Sequence, residues 1–204
     1  MITVVDYGVG NIGAITNMAE YLGIDARPSG DPKEIESAAK LILPGVGAFD
    51  KAMATLRNRK LVDPLNHAVR ERRVPVLGIC LGMQLLARSS EEGSETGLGW
   101  INADVKRIRL PATSSLKVPH IGWLEIRPRR ESALFDRSNR RERFYFDHSY
   151  FVDCDDPNDV TAVIDYGEEL CCAVSSNNVS GVQFHPEKSH RFGMRVLEAF
   201  GKLR

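Results

Sequence analysis

Val74-Pro75-Val76-Leu77-Gly78-Ile79-Cys80-Leu81-Gly82-Met83-Gln84-Leu85-Leu86 sets a short apolar run against a helical pattern, with a cysteine between two glycines at the junction. Val74 to Leu77 reads as a buried strand that stops at Gly78, and Leu81 to Ala87 resumes helical spacing at once. The same signal recurs upstream. Ile2 to Val5 is a buried strand broken at Gly8-Val9-Gly10, after which Ile12, Ile15, Ala19 and Leu22 recur at helical spacing until Gly23. Leu41 to Leu43 runs into Pro44-Gly45-Val46-Gly47, a loop too glycine-rich to continue either regular structure, and helices follow through Met53 and Leu56 and around Leu61 to Arg70. Strand and helix alternating in this way indicate an α/β fold with an open, mixed and mostly parallel sheet flanked by helices.

The second half is richer in strands: Ala103 to Ile108, Leu124 to Ile126, Arg143 to Phe146, Val160 to Ile164, Leu170 to Ser175 and Val179 to Phe184. Asn177-Asn178 reads as the hairpin turn between the last two. A final helix carries Phe192, Val196, Ala199 and Phe200 on one stripe. With 204 residues and neither a repeat nor a linker, the expectation is one domain over residues 1–204.

Composition narrows the class. Hydrophobic residues are 43% and charged residues 26%, and 27 basic side chains balance 27 acidic ones, which disfavours both disorder and bulk attraction to nucleic acid. Met1-Ile2-Thr3-Val4-Val5-Asp6 has no basic n-region, and no apolar run approaches the ~18 residues of a membrane span, so a cytoplasmic protein is expected. Cys80, Cys154, Cys171 and Cys172 show no CxxC or Cys/His metal spacing. They read as reduced thiols, and neither metal nor cofactor is expected. Residues 127 to 143 hold seven arginines (Arg127, Arg129, Arg130, Arg137, Arg140, Arg141, Arg143), read as a solvated loop, with an acidic or phosphate-bearing partner as the alternative.

Three segments carry chemistry. Gly78-Ile79-Cys80-Leu81-Gly82 is the thiol version of a nucleophile elbow, whose flanking residues must be small because the chain passes close to itself. The elbow sets Cys80 at a helix N-terminus, where thiolate is favoured, and turns the Leu81 N–H toward a developing oxyanion. A thiolate needs a base, and the base needs something to orient it. His185-Pro186-Glu187 supplies both, because in an extended segment residues two apart share a face. His67, His120, His148 and His190 lack such an acid at i+2. Finally, Pro44-Gly45-Val46-Gly47 lies at the carboxyl end of a neighbouring strand, where α/β sheets bind ligands, and can present the N–H of Val46 or Gly47 as a second oxyanion donor. A cysteine peptidase or esterase could share the Cys/His pair but would need a groove for an extended substrate. A purely regulatory binding subunit would need a broken triad.

Taken together, PGVGAF (44 to 49), GICLGMQLL (78 to 86) and GVQFHPEKS (181 to 189) resemble the class I, triad-type glutamine amidotransferases. VDYGVGN (5 to 11), KVPHIGW (117 to 123) and FYFDHSY (144 to 150) narrow the resemblance to the glutaminase subunits of imidazole glycerol phosphate synthases, end to end. The resemblance implies that Cys80 attacks the carboxamide of L-glutamine, that His185 protonates the leaving ammonia and activates water, and that Glu187 orients His185. It implies that Gly45, Gln84, Glu92, Ser149 and Tyr150 hold the glutamine. It implies a heterodimer with a (βα)8-barrel cyclase that receives the ammonia in histidine biosynthesis, with Asn11, His120, Trp123 and Tyr145 at the interface. A related branch supplies ammonia for amidation of acetamido sugars of surface polysaccharides, and Ser189 to Gly193 is compatible with it. Leu124 stands where the family usually has Asn, and Asp147 where it has an aliphatic residue, both in segments expected at the interface or the rim of the site.

Overall fold

The structure is a computed structural model and describes residues 1–135 and 142–203. In chain order it contains β1 (Ile2–Val5), α1 (Ile12–Tyr21), β2 (Ala26–Ser29), α2 (Pro32–Ser37), β3 (Leu41–Gly45), α3 (Phe49–Asn58) and α4 (Val62–Asn66), the last continued by a π-helical turn His67–Glu71. Next come β4 (Val76–Cys80), α5 (Leu81–Leu85), β5 (Ser89–Ser90), β6 (Ala103–Arg107), β7 (His120–Glu125) and β8 (Arg127–Pro128). The chain ends with β9 (Arg143–His148), β10 (Tyr150–Cys154), β11 (Val160–Asp165), β12 (Glu169–Ser176), β13 (Val179–Val182) and α6 (His190–Lys202). An eight-stranded sheet in the order β2-β1-β3-β4-β13-β12-β11-β8 forms the centre, parallel from β2 to β13 and antiparallel beyond.

Burial on both faces explains why the central strands read as unbroken apolar runs. Leu41 and Leu43 of β3 pack with α3, α4 and the β6/β10 layer, while Ile42, one residue out of phase, packs with α1, α6 and the β7/β9 ribbon. The last helix buries Gly193, Val196, Leu197 and Phe200, with Phe192 and Ala199 at the margin of that stripe.

Several boundaries differ from the sequence reading. β4 does not stop at Gly78 but continues to Cys80, and β3 continues through Pro44 to Gly45, which pairs with Cys80. Gly45 has to be glycine here for packing reasons: a Cβ would come within 2.7 Å of the Gly82 nitrogen. Besides the two-residue strands β5 and β8, three elements gave no sequence signal. β2 is the sheet edge and half-exposed, so it carries Arg27 and Pro28 in place of an apolar run. α2 is a single capped turn burying only Ile35, its N-cap Asp31 accepting from the Lys33 N–H at 2.8 Å. β10 joins a separate three-stranded layer with β6 and β5.

The arginine-rich stretch has structural duties where it is described. Arg127 reaches Glu169 at 2.7 Å, Arg129 pairs with the same carboxylate, and Arg130 donates to the Asn158 and Ser175 carbonyls. Arg137, Arg140 and Arg141 lie outside the described residues. Among the described residues no helix is long and apolar enough to cross a membrane, and no group of three His, Cys, Asp or Glu side chains is placed to hold a metal ion. All four cysteines are free thiols.

Candidate active site

Cys80 occupies the last position of β4 and the cap of α5, with φ 54° and ψ −113°, a conformation that L-residues rarely adopt. What imposes it is the crossing of two backbones. A Cβ at Gly78 would lie 2.7 Å from the Gly82 carbonyl oxygen, and a Cβ at Gly82 would overlap the Leu43 carbonyl. Both glycines of the elbow are therefore required by close approach of the main chain, and the strain at Cys80 lifts its side chain out of the sheet. α5 has five residues, so its N-terminus supplies a few N–H groups, not the dipole of a long helix.

His185 follows β13, and its Nδ1–H donates to Glu187 Oε1 at 2.8 Å. The path between them is not the extended segment expected: Pro186–Lys188 forms a 3₁₀ turn, and the turn folds the carboxylate back beneath the ring. Both side chains are buried. Burial works against a charged imidazole, but hydrogen bonds to Cys80 and Glu187 outweigh it and raise the His185 pKa from the ordinary 6.5 to about 10. Glu187 Oε2 is buried with no hydrogen-bond partner among the described residues, so His185 is the group that compensates this carboxylate.

A cavity of about 300 Å³ opens over the sulfur, lined by Val46, Gly47, Cys80, Leu81 and His185. Gln84, Glu92, Ser149 and Tyr150 complete its polar wall, and Pro119, Asp147, His148 and Lys188 close its rim. Glu92 is held by the Phe49 N–H at the start of α3, 2.8 Å from Oε2. Gly47 has φ 97°, and Val46 is exposed beside it. Gly45 is absent from the lining, because as part of β3 it is buried under Leu81 and Gly82.

Strand alternation sorts the remaining expected residues. In the β7/β9 ribbon Trp123 pairs with Tyr145 and His120 with His148. Ile121 and Trp123 face outward, while His120 is buried, its ring centroid 4.2 Å from that of Tyr166 and 5.2 Å from that of Phe146. Period two places His120 on the core face of the ribbon, opposite Ile121 and Trp123. Leu124 likewise packs inward, whereas Asp147 is exposed on the rim. Asn11 is exposed at the start of α1, and Tyr145 is half-buried beneath Trp123.

Two buried polar residues beside the site had no signal in the sequence reading. His148 places Nδ1 2.8 Å from the Tyr150 carbonyl, and burial lowers its pKa to about 4, so it stays neutral and donates there. The fully buried Gln183 places Nε2 3.7 Å from the Cys80 sulfur. Register puts it there: β13 pairs Val182 with Ile79, which sets the next residue level with Cys80.

Comparison with known proteins identifies the family. The family model of the class I glutamine amidotransferases matches residues 3–202. The chain is 48% identical to "Imidazole glycerol phosphate synthase subunit HisH 2" of Pseudomonas aeruginosa, with 100% of both chains covered. It is 47% identical to "Imidazole glycerol phosphate synthase subunit HisH" of Bdellovibrio bacteriovorus, again over 100% of both chains. A crystal structure described as a glutamine amidotransferase superposes with a TM-score of 0.75 at 20% identity, over 98% of this chain and 100% of that one, which speaks for the fold alone. On a family match spanning nearly every residue, and on relatives this similar from end to end, the chain belongs to the class I glutamine amidotransferases.

Proposed function

We propose that this chain is a glutaminase subunit that hydrolyses L-glutamine to glutamate and ammonia at Cys80 and passes the ammonia to a (βα)8-barrel cyclase in imidazole glycerol phosphate synthesis. The observation that carries the chemistry is the buried His185, which lines one cavity with Cys80 and holds Nδ1 2.8 Å from Glu187, partners that favour the charged imidazole. The proton needed by the leaving group is then already on the imidazole. Cys80 sulfur attacks the carboxamide carbon, and the carbonyl oxygen becomes an oxyanion facing the Leu81 N–H and the Val46-Gly47 peptide. His185 gives its proton to the departing ammonia, leaving a γ-glutamyl thioester. The neutral imidazole next takes a proton from water, hydroxide adds to the thioester, and glutamate leaves as the thiolate is restored.

Gln84, Glu92, Ser149 and Tyr150 line the place where the amino-acid end of glutamine would sit, Glu92 being suited to an ammonium group. The partner would dock on the face carrying Asn11, Trp123 and Tyr145, as a heterodimer in the cytoplasm. Confinement between the two subunits keeps ammonia from being captured in neutral water as non-nucleophilic ammonium. The names of the relatives favour this reading over ammonia supply to an acetamido sugar.

Ammonia release from glutamine, measured with and without a barrel subunit of such a synthase and its ligand, tests the proposal. We expect a slow chain that accelerates at least ~10²-fold in the complex, the usual effect of one oxyanion donor, and no ammonia from Cys80→Ala in either condition. Equal rates with and without the barrel would overturn the coupling. Turnover by Cys80→Ala would overturn the nucleophile.

A further inference from the structure

We propose that Gln183 is a further catalytic residue, which donates an N–H hydrogen bond to the ionised Cys80 sulfur and is aimed there by Gln84. The donor role stands on geometry around the sulfur, and its part in turnover rests on the glutaminase reading above.

Gln183 is fully buried immediately after β13, where a polar side chain is costly unless its amide is bonded on both sides. The main chain settles which end of the amide faces the sulfur. Gln84 Nε2 lies 3.3 Å from the Tyr150 carbonyl oxygen, which can only accept, so the amino end of Gln84 must point that way. The same Nε2 lies 3.1 Å from Gln183 Oε1, which must therefore be the acceptor of that pair. The amino group of Gln183 is left facing Cys80, with Nε2 3.7 Å from Sγ.

Strand geometry produces this alignment. Gly181, two residues before Gln183 and on the same face of β13, faces Met83 of α5, and Gln84 follows Met83. A second neighbour completes the picture. The Asp147 carbonyl oxygen lies 3.9 Å from the sulfur and can accept only while the thiol keeps its hydrogen. On ionisation that contact loses its proton, whereas the Gln183 N–H gains strength as a donor to a charged acceptor. Gln183 thus favours the thiolate relative to the thiol, and the substrate wall at Gln84 shares a hydrogen-bonded chain with the nucleophile.

The test uses iodoacetamide, which needs no glutamine site, on the full chain, with the Cys80 adduct quantified by peptide mapping across pH. Gln183→Met, similar in length but without a donor, is expected to move the rise in Cys80 alkylation to higher pH. With the barrel present it should also lower kcat for glutamine about tenfold at unchanged KM, since hydrogen bonds to charged groups typically contribute that much or more. Gln84→Met is expected to move the alkylation profile in the same direction, which a residue that only holds glutamine would not do. Thermal unfolding checks that each variant is folded, with Gln183→Leu as the second choice. A profile unmoved in folded Gln183→Met or Gln183→Leu overturns the donor, and one unmoved in Gln84→Met overturns the orienting chain. A moved profile in a chain that releases no ammonia would sink the glutaminase reading while leaving the donor standing.

Discussion

In the proposed reaction Glu187 would act only through His185, and the distances give the reason its loss should be milder. The carboxylate holds Nδ1–H and leaves Nε2 for the sulfur, but it is not itself part of the cavity lining. Glu187→Gln should lower glutamine turnover about tenfold to a hundredfold less than His185→Ala does. Steady-state kinetics with the barrel partner decides this, and equal losses would mean that Glu187 has a more direct part. The same substitution has a signature in stability. His185 binds its proton more tightly folded, at about 10, than at its ordinary 6.5. Protonation therefore stabilises the fold in full below pH 6.5, and that contribution fades as pH rises and is gone above about 10. Since Glu187 provides one of the two hydrogen bonds responsible, the difference in thermal midpoint between wild type and Glu187→Gln should shrink steadily from pH 6.5 to 10. A difference that grows over that range would refute the assignment.

At the level of elements, the outward ribbon and His185 are joined by hydrogen bonds of the main chain. The His185 N–H donates to the Tyr145 carbonyl at 2.9 Å, the Tyr145 N–H donates to Ser189 Oγ at 3.0 Å, and that hydroxyl donates to the His185 carbonyl at 2.6 Å. A single buried hydroxyl closes this ring, and it links β9 to the turn that carries His185 and Glu187. Ser189→Ala leaves the Tyr145 N–H without its acceptor, a cost of about 1–3 kcal/mol. At roughly 2–4 °C per kcal/mol for a chain of this size, the midpoint should fall by about 2–12 °C. The more telling readout is the ratio of ammonia release with the partner to release without it. That ratio should fall in Ser189→Ala, because displacement of the ribbon is no longer passed on rigidly to His185. An unchanged ratio with a lowered midpoint would mean that the hydroxyl is merely structural.

For the whole molecule, Trp123 shares the outward face of the β7/β9 ribbon with Asp147, a residue of the cavity rim. Trp123 is 39% exposed although three groups pack around it: Tyr145 with centroids at 6.2 Å, His190 stacked at 5.6 Å and the Arg143 guanidinium at 5.8 Å. A large aromatic residue held in place yet left open is the kind of anchor that dominates interfaces. Trp123→Ala should weaken docking of the barrel by about 2 kcal/mol, near 30-fold in Kd, and lower partner-stimulated turnover in parallel. Titration of the labelled barrel measures the affinity, and unchanged affinity would remove Trp123 from the interface.

The sequence by itself determined the α/β architecture and the three chemical segments, because each rests on local rules: apolar runs for strands buried on both faces, glycines where backbones cross, and an acid two residues from a histidine. It failed where the cause is not local. β2 could not be read, since an edge strand needs no apolar run, and β4 extended past Gly78 because its ladder partners reach as far as Gly45 and Val182. The turn at Pro186 brought Glu187 to His185 by a path that extended geometry did not anticipate. Only tertiary structure could turn His120 inward and Trp123 outward, because period two separates their faces but not which face the core takes. Only tertiary structure could place Gln183 against Cys80, 103 positions apart in the chain, because the parallel register of β13 with β4 decides that neighbourhood.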